Sequence, residues 1–187
     1  MEVVIVYESL YGNTRRVAEA IAAGAAAASG PASVRLLNAT DAGPDDAQDA
    51  DLLIVGAPTH ALRLPTPGSR NNAPAAAFPP PEVPVEVAPG STLLWSAPPG
   101  VREWLATLHR AAPGAGAAAF DTRLPNPLAG GAARPITRSL RRHGYSLIAR
   151  PQGFVVKGSR GPLRNGEQER ARTWGANLLA ACTLGVR

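Results

Sequence analysis

The chain contains very little cysteine, few aromatic residues and no long apolar run. Its 187 residues include one cysteine, Cys182, so no internal disulfide can form and no cysteine cluster is available for zinc or an iron–sulfur centre. No apolar stretch approaches the roughly 20 residues that a membrane-spanning helix requires. A strand-like segment begins at residue 3, with no signal peptide before it. These absences predict a cytoplasmic protein without a membrane span.

Acidic residues are outnumbered. The chain has 19 Lys and Arg against 14 Asp and Glu, which gives a formal net charge of +5, and every basic residue except Lys157 is an arginine. Such a surface attracts nucleic acids, acidic proteins and phosphorylated nucleotides. Aromatic residues make up only 5% of the chain and are not interleaved with the arginines, so stacking platforms for single-stranded nucleic acid are missing. The composition therefore argues against a nucleic-acid partner.

The turn after the first apolar run is the most informative segment. Residues 3–6 predict a buried strand, and a helical pattern starts after the six residues Ser9, Leu10, Tyr11, Gly12, Asn13 and Thr14. A helix N-terminus attracts anions because its first amides lack intrahelical partners and its dipole is positive there. The turn has no Lys or Arg, unlike a P-loop, so it predicts a site for a terminal monophosphate ester. The alternative is an ordinary strand-to-helix turn with capping residues.

Apolar runs alternate with helical patterns along most of the chain. Because parallel neighbouring strands need crossover connections, five strands separated by helices predict an α/β protein with a parallel sheet. The predicted strands are residues 3–6, 34–37, 52–55, 115–120 and 145–148, the last with an extension at 154–156. The predicted helix after Gly130 has an outer row of arginines that is either a solvated face or a docking site: Arg134, Arg138, Arg141 and Arg142.

A proline-rich insertion at about residues 61–100 interrupts this alternation. It contains ten prolines, so we expect no regular element there except a short strand over residues 92–95. A run of this length without regular structure is typical of a lid, a partner surface or disorder. For residues 71–90 the composition does not separate a lid from disorder.

Three segments, in this order along the chain, resemble flavodoxin-like proteins. The Ser9–Thr14 turn resembles the loop that holds the FMN phosphate in this family. Residues 51–60 resemble the third strand and the loop that lies against the flavin, and residues 119–123 resemble the fourth strand and the loop on the other side of the ring. The implied flavin-contacting residues of these two segments are Ala57, Pro58, Thr59, His60, Asp121, Thr122 and Arg123. His60 either stacks on the flavin or contacts its N5–O4 edge, or else it faces solvent.

The resemblance implies a fold, a domain and a cofactor. The fold is a flavodoxin-like, doubly wound, three-layer α/β structure with a five-stranded parallel sheet of order 2-1-3-4-5. A single domain would cover residues 1–187, with the proline-rich insertion inside it. The implied cofactor is FMN, and neither the resemblance nor the composition points to a metal.

The segments next to the predicted flavin site differ from those of low-potential flavodoxins. Many flavodoxins flank the ring with two aromatic residues, whereas here none follows the third strand and Leu124 follows the fourth. Arg63, Arg70 and Arg123 lie in or next to the two ring loops, and positive charge stabilises a reduced, anionic flavin. We therefore expect a two-electron oxidoreductase that uses NAD(P)H and quinone-like acceptors, with these arginines as candidates for holding the nucleotide phosphates.

Two alternatives stay open. The first is a one-electron carrier that serves a larger enzyme or an acidic redox partner. The second is a binding module with the same fold but no flavin, which the proline-rich insertion favours because it could fill the ring pocket. The sequence identifies neither the electron donor nor the oligomeric state.

Overall fold

The computed structural model shows a parallel β-sheet with helices on both faces. It describes residues 1–28, 33–60, 62–71, 98–125, 130–158 and 160–185. The strands are β1 (Glu2–Tyr7), β2 (Ser33–Asn38), β3 (Leu52–Pro58), β4 (Gly116–Arg123), β5 (Ser146–Leu147) and β6 (Gln152–Val155). The helices are α1 (Asn13–Ala28), α2 (Pro67–Asn71), α3 (Val101–Thr107), α4 (Ala133–Arg142) and α5 (Glu167–Gly185), and Asp45–Ala47 form a turn of 3₁₀ helix.

The strand order of the sheet is β2-β1-β3-β4-β5, with β6 also paired to β4. All of these pairings are parallel. β5 pairs with Gly116 and Ala117 at the start of β4, and β6 pairs with residues 120–123 at its end. The two short strands therefore share the fifth position of the sheet, and the predicted order 2-1-3-4-5 is confirmed.

The central strands are mostly apolar because helices cover both faces of the sheet, and their polar residues lie at the strand ends. In β1, Val4 and Val6 belong to the core layer that contains α3 and α4. Val3 and Ile5 belong to the opposite layer, which contains α1 and α5. The sheet and these two helical layers form the three layers expected from the sequence.

The two longest helices, α1 and α5, pack against each other at very short range. A Cβ atom on Gly24 of α1 would lie 1.9 Å from the carbonyl oxygen of Arg172, and one on Gly175 of α5 would lie 2.2 Å from that of Ile21. The backbones of the two helices are therefore in direct contact at Gly24 and Gly175, where a larger residue would clash. No helix in the described ranges is both long enough and apolar enough to cross a membrane.

The proline-rich insertion contains a helix that the sequence-based expectation missed. α2 begins at Pro67, and proline is well tolerated at the first position of a helix because the missing N–H would be unpaired there. Thr66 and Ser69 cap this turn reciprocally: the Ser69 amide donates to Thr66 Oγ1 at 3.1 Å, and the Thr66 amide donates to Ser69 Oγ at 2.8 Å. The expectation of no regular element was therefore wrong for residues 67–71. The predicted strand at 92–95, and the question of a lid over all of 71–90 except Asn71, lie outside the described residues.

Candidate functional site

A cleft of about 190 Å³ opens at the carboxyl ends of β1, β3 and β4. Ligands of open α/β sheets bind at this edge, where the strand order reverses. The lining residues are Leu10, Tyr11, Asn13, Thr14, Pro58, Thr59, His60, Thr122, Arg123, Leu124 and Val156. Nine of them were predicted from the sequence, while Leu124 and Val156 were not. Four predicted residues do not line the cleft: Ser9, Gly12, Ala57 and Asp121.

The loop between β1 and α1 presents unpaired backbone amides. Gly12 has φ +80, and its carbonyl oxygen accepts the first helical hydrogen bond, from the Arg16 amide at 3.1 Å. The Arg15 amide donates to Ser9 Oγ at 3.2 Å, which leaves the Ser9 proton free to be donated elsewhere. The amides of Asn13 and Thr14 have no acceptor within the described part of the chain. These amides, at the positive end of α1, form a site suited to an anion.

A pair of hydroxyls joins this loop to β4. Thr14 Oγ1 and Thr122 Oγ1 are 2.9 Å apart, and both residues are buried. One hydroxyl donates its proton to the other, so one proton of the pair remains for a ligand. The pair therefore holds the start of α1 against β4 and still offers a donor to the cleft.

A hairpin that the sequence analysis missed closes the outer side of the loop. Val156 and Leu163 form an antiparallel bridge, and the turn between them reaches Asn13, whose Nδ2 donates to the Arg160 carbonyl oxygen at 3.3 Å. A Cβ atom at Gly161 would lie 2.3 Å from Asn13 Nδ2, so the turn contacts Asn13 directly. No local pattern in residues 156–163 identifies their partner, because the two residues in contact are 147 positions apart in the sequence.

The loop after β3 contributes Pro58, Thr59 and His60. Thr59 Oγ1 accepts a hydrogen bond from the Ala132 amide at 3.1 Å, so this hydroxyl holds the start of α4. The backbone of His60 pairs with that of Arg63 in both directions, at 2.9 and 3.1 Å. His60 Nδ1 is buried and has no hydrogen-bond partner among the described residues. A buried polar atom on the wall of a cleft is a contact point for a polar group of a ligand.

Asp121 supports the site from the interior and does not line the cleft. Its carboxylate is fully buried and accepts two hydrogen bonds from Arg123, at 2.6 and 2.9 Å, and one from the Ala133 amide at 2.9 Å. Burial raises the pKa of this carboxyl, while the hydrogen bonds from Ala133 and Arg123 act in the opposite direction. The side chain of Asp121 therefore fixes Arg123 and the N-terminus of α4, which is a structural task.

The sequence of the first third of the chain is similar to that of a known family with this geometry. Residues 5–66, which include the end of β1, the loop before α1 and β3, match the sequence model of the flavodoxins. Over these residues the chain is similar to the flavodoxins. FMN is the cofactor of the flavodoxins.

Solved flavodoxins have the same fold over nearly the whole flavodoxin-like chain. A flavodoxin from the domain Archaea superposes with a TM-score of 0.64 at 17% identity, over 98% of this chain and 99% of that one. Oxidised flavodoxin 1 from Bacillus cereus gives 0.62 at 15% identity, over 96% and 98%. The Flv1 flavodiiron core from Synechocystis gives 0.61 at 19% identity, over 98% of this chain and 36% of that one. No curated protein matches the chain in sequence.

Two observations on the cleft residues of this flavodoxin-like protein fit FMN. Unpaired amides lie at the start of α1, and a Cβ atom at Gly12 would have no atom of the described residues within 4 Å, so none of these residues closes the loop on that side. His60 Nδ1 lacks a partner among the described residues. No group of three or more His, Cys, Asp or Glu side chains in the described ranges is arranged to hold a metal ion.

Two of the three arginines near the flavodoxin-like cleft form ion pairs with carboxylates, which their sequence positions do not reveal. The Arg70 side chain is 2% exposed and pairs with Glu8 and Glu103, and Arg123 pairs with Asp121. Arg63 is exposed. Since opposite charges at contact distance largely cancel at longer range, two of the three arginines add little positive potential to the ring loops. The charge argument for two-electron chemistry is correspondingly weaker.

Proposed function

We propose that this protein holds FMN in the cleft at the carboxyl ends of β1, β3 and β4 and acts as an electron carrier between redox partners. The FMN phosphate would lie in the Ser9–Thr14 loop, with the ring between the loops after β3 and β4. The observation that carries the proposal is the pair of unpartnered amides, on Asn13 and Thr14, at the N-terminus of α1. They lie where a doubly wound sheet binds its ligand.

Each wall of the cleft has a task in this proposal. The Ser9 hydroxyl and the free proton of the Thr14–Thr122 pair would donate to the phosphate. His60 Nδ1 would pair with a polar atom on the edge of the ring, and Leu124, which is 42% exposed, would cover apolar ring surface. FMN, when bound, supplies the centre that accepts and releases electrons. Ala57 and Asp121 would support the site from behind, because both side chains are completely buried.

A one-electron role has better support than the two-electron role that we expected from the sequence. The similar solved structures are mostly flavodoxins, which are one-electron carriers. The pairing of Arg70 and Arg123 with carboxylates removes most of the positive charge on which the two-electron expectation depended.

A two-electron oxidoreductase of quinone-like acceptors, reduced by NAD(P)H, is the second candidate. The observation that favours it is that Tyr11 is the one aromatic residue among those lining the described cleft. The loops after β3 and β4 present Pro58, His60 and Leu124 there, which leaves room beside the ring for a second substrate.

An acidic protein is the redox partner that the surface charge favours. Arg134, Arg138, Arg141 and Arg142 are exposed on α4, and none of them has an ion pair within the described part of the chain. The first turn of α4 is held by Thr59 and Asp121, so this basic face starts at the rim of the cleft. Complementary charge near a redox centre speeds the encounter of carrier and partner.

Identifying the bound ligand tests the proposal, and a reductive titration separates its two versions. The purified or reconstituted protein is denatured and the released compound is identified, and we expect FMN. Two resolved steps in the titration support the carrier, whereas a single two-electron step with rapid reduction by NADH or NADPH supports the oxidoreductase. A colourless protein that takes up no FMN at micromolar concentration contradicts both and leaves the flavin-free binding module.

A further inference from the structure

Three charged side chains, two of them buried and Glu103 32% exposed, meet at the residue that precedes the proposed phosphate loop. Arg70, in the last turn of α2, lies between Glu8, the residue after β1, and Glu103 in the first turn of α3. The distances are 3.5 Å from Arg70 Nη1 to Glu8 Oε1 and 2.5 Å from Arg70 Nη2 to Glu103 Oε2. This group of three, the Glu8–Arg70–Glu103 cluster, is separate from the cleft, because none of its members lines it.

The cluster is tightly built. The side chains of Arg70 and Glu8 are only 2% and 6% exposed. Glu8 Oε2 accepts the Val101 amide at 3.0 Å, and Glu103 Oε2 accepts the Gly100 amide at 2.9 Å. A Cβ atom on Gly100 would lie 2.4 Å from Glu8 Oε2 and 2.7 Å from Arg70 Nη1, so a larger residue there would force the ends of these two side chains to move.

The cluster contains Glu8, the residue immediately before the Ser9–Thr14 loop. Glu8 is held by its backbone, whose amide donates to the Gly56 carbonyl oxygen at 2.9 Å, and by its carboxylate, which Arg70 and Val101 hold. Ser9 follows immediately, and its Oγ accepts the Arg15 amide in the first turn of α1. A binding loop keeps its donors within a fraction of an ångström only where side chains behind it are locked.

We propose that Arg70 is a positioning residue for the phosphate of FMN, acting through Glu8 on the Ser9–Thr14 loop. The inference depends on the proposed function, since it concerns the same cofactor. It also assigns a role to the segments on either side of residues 72–97: Arg70 on one side and Gly100 to Glu103 on the other are joined at the phosphate loop.

Comparing FMN with riboflavin tests this inference, since riboflavin lacks only the phosphate. Dissociation constants for both flavins are measured on Arg70→Met and on Gly100→Ala. The second variant removes no charge and displaces the Glu8 carboxylate by contact alone. We expect each variant to weaken FMN about tenfold, the equivalent of one misaligned charge-assisted hydrogen bond, while riboflavin affinity changes less than about threefold.

Arg102→Met is the matched control. The Arg102 guanidinium also ties α3 to the segment before α2, by donating to the Leu64 and Pro65 carbonyl oxygens at 2.7 and 2.8 Å, but it has no contact with Glu8. Its ratio of FMN to riboflavin affinity should match that of the wild type. An unchanged ratio in Arg70→Met and Gly100→Ala, or an equal loss of both flavins, overturns the inference. Gly100→Ala decides alone if Arg70→Met does not fold, and a wild type that binds neither flavin contradicts the proposed function itself.

Discussion

Hydroxyl groups in and next to the cleft make hydrogen bonds that stabilise different helices. Ser9 and the Thr14–Thr122 pair accept or share bonds that hold α1, and each still has a proton to donate. Thr59, whose oxygen accepts the Ala132 amide, instead holds α4. Residue type alone does not separate these roles, because each depends on which backbone amide lies nearby.

The double variant Ser9→Ala, Thr14→Ala should weaken FMN at least about tenfold, since a hydrogen bond to a charged group is worth roughly 1.5–3 kcal/mol. Fluorescence titration of the folded apoprotein with FMN measures the loss. Thr107→Ala is the control, because its hydroxyl donates to the Trp104 carbonyl oxygen within α3. Equal affinity in the double variant and the control would move the phosphate to another part of the protein.

Gly12→Val should weaken FMN at least as much as the double alanine variant. Gly12 has φ +80, which a β-branched residue rarely adopts, at a cost of about 1–2 kcal/mol. No atom in the part of the chain that the structure describes lies within 4 Å of the added Cβ, so the new side chain would extend into the space beside the loop. Urea unfolding of the apoprotein measures the loss of folding stability that the backbone strain causes, and an FMN titration measures the loss of FMN affinity. Wild-type FMN affinity in this variant would show that nothing approaches the loop from that side.

At the level of elements, the row of arginines on the exposed face of α4 lowers the stability of that helix. Arg134 and Arg138, and Arg138 and Arg142, are like charges four residues apart, an arrangement that destabilises a helix by a few tenths of a kcal/mol per pair. The face extends over about 12 Å from Arg134 to Arg142, starting at the rim of the cleft.

The triple variant Arg134→Gln, Arg138→Gln, Arg142→Gln should slow association with an acidic redox protein. A plant-type ferredoxin immobilised for surface plasmon resonance serves as the probe, and we expect about a tenfold lower association rate and a weaker dependence on salt. The matched control, Arg150→Gln, Arg164→Gln, Arg172→Gln, makes the same change in net charge elsewhere and should keep most of the wild-type rate. An equal decrease in both triple variants would mean that net charge alone matters.

Elements were predictable where the pattern is local. The apolar runs at residues 3–6 and 52–55 became β1 and β3, and the turn between Ser9 and Thr14 leads into α1 as expected. The burial of Arg70, the role of Asp121 under α4 and the contact between Asn13 and Arg160 were not predictable. Each depends on a partner far away in sequence or on burial that the sheet creates, and hydrophobic periodicity contains no information about either.

For the whole molecule, buried carboxyls give stability an uncommon dependence on pH. Burial raises the pKa of Glu8 above its ordinary value of 4.5, although Arg70 and the Val101 amide oppose the shift. An acid whose pKa is higher in the folded state binds protons more tightly there than in the unfolded chain. Its contribution to stability is therefore present at low pH and is lost as the pH rises from 4.5 through the folded-state value.

Comparing the wild type with Glu8→Gln by urea unfolding between pH 4 and pH 8 checks this sign. Glutamine does not titrate, and it can still accept the Val101 amide. We expect the wild type to lose stability relative to the variant as the pH rises, by at most about 1.4 kcal/mol per pH unit. The difference in stability should become constant above the folded-state pKa of Glu8. A wild type that gains stability relative to Glu8→Gln with rising pH would mean that Arg70 outweighs burial.

The contact between α1 and α5 has a consequence for biosynthesis. At typical elongation rates of about 5–20 residues per second, the ribosome delivers residue 167 on the order of ten seconds after residue 28. Until then Gly24 of α1 has no α5 to pack against, and Asn13 Nδ2 has no Arg160 carbonyl oxygen to which it can donate. The Ser9–Thr14 loop is therefore synthesised well before the Arg160 carbonyl that accepts a hydrogen bond from Asn13. A nascent chain that stalls between residues 28 and 160 has this loop and α1 without the contacts from α5 and from Arg160.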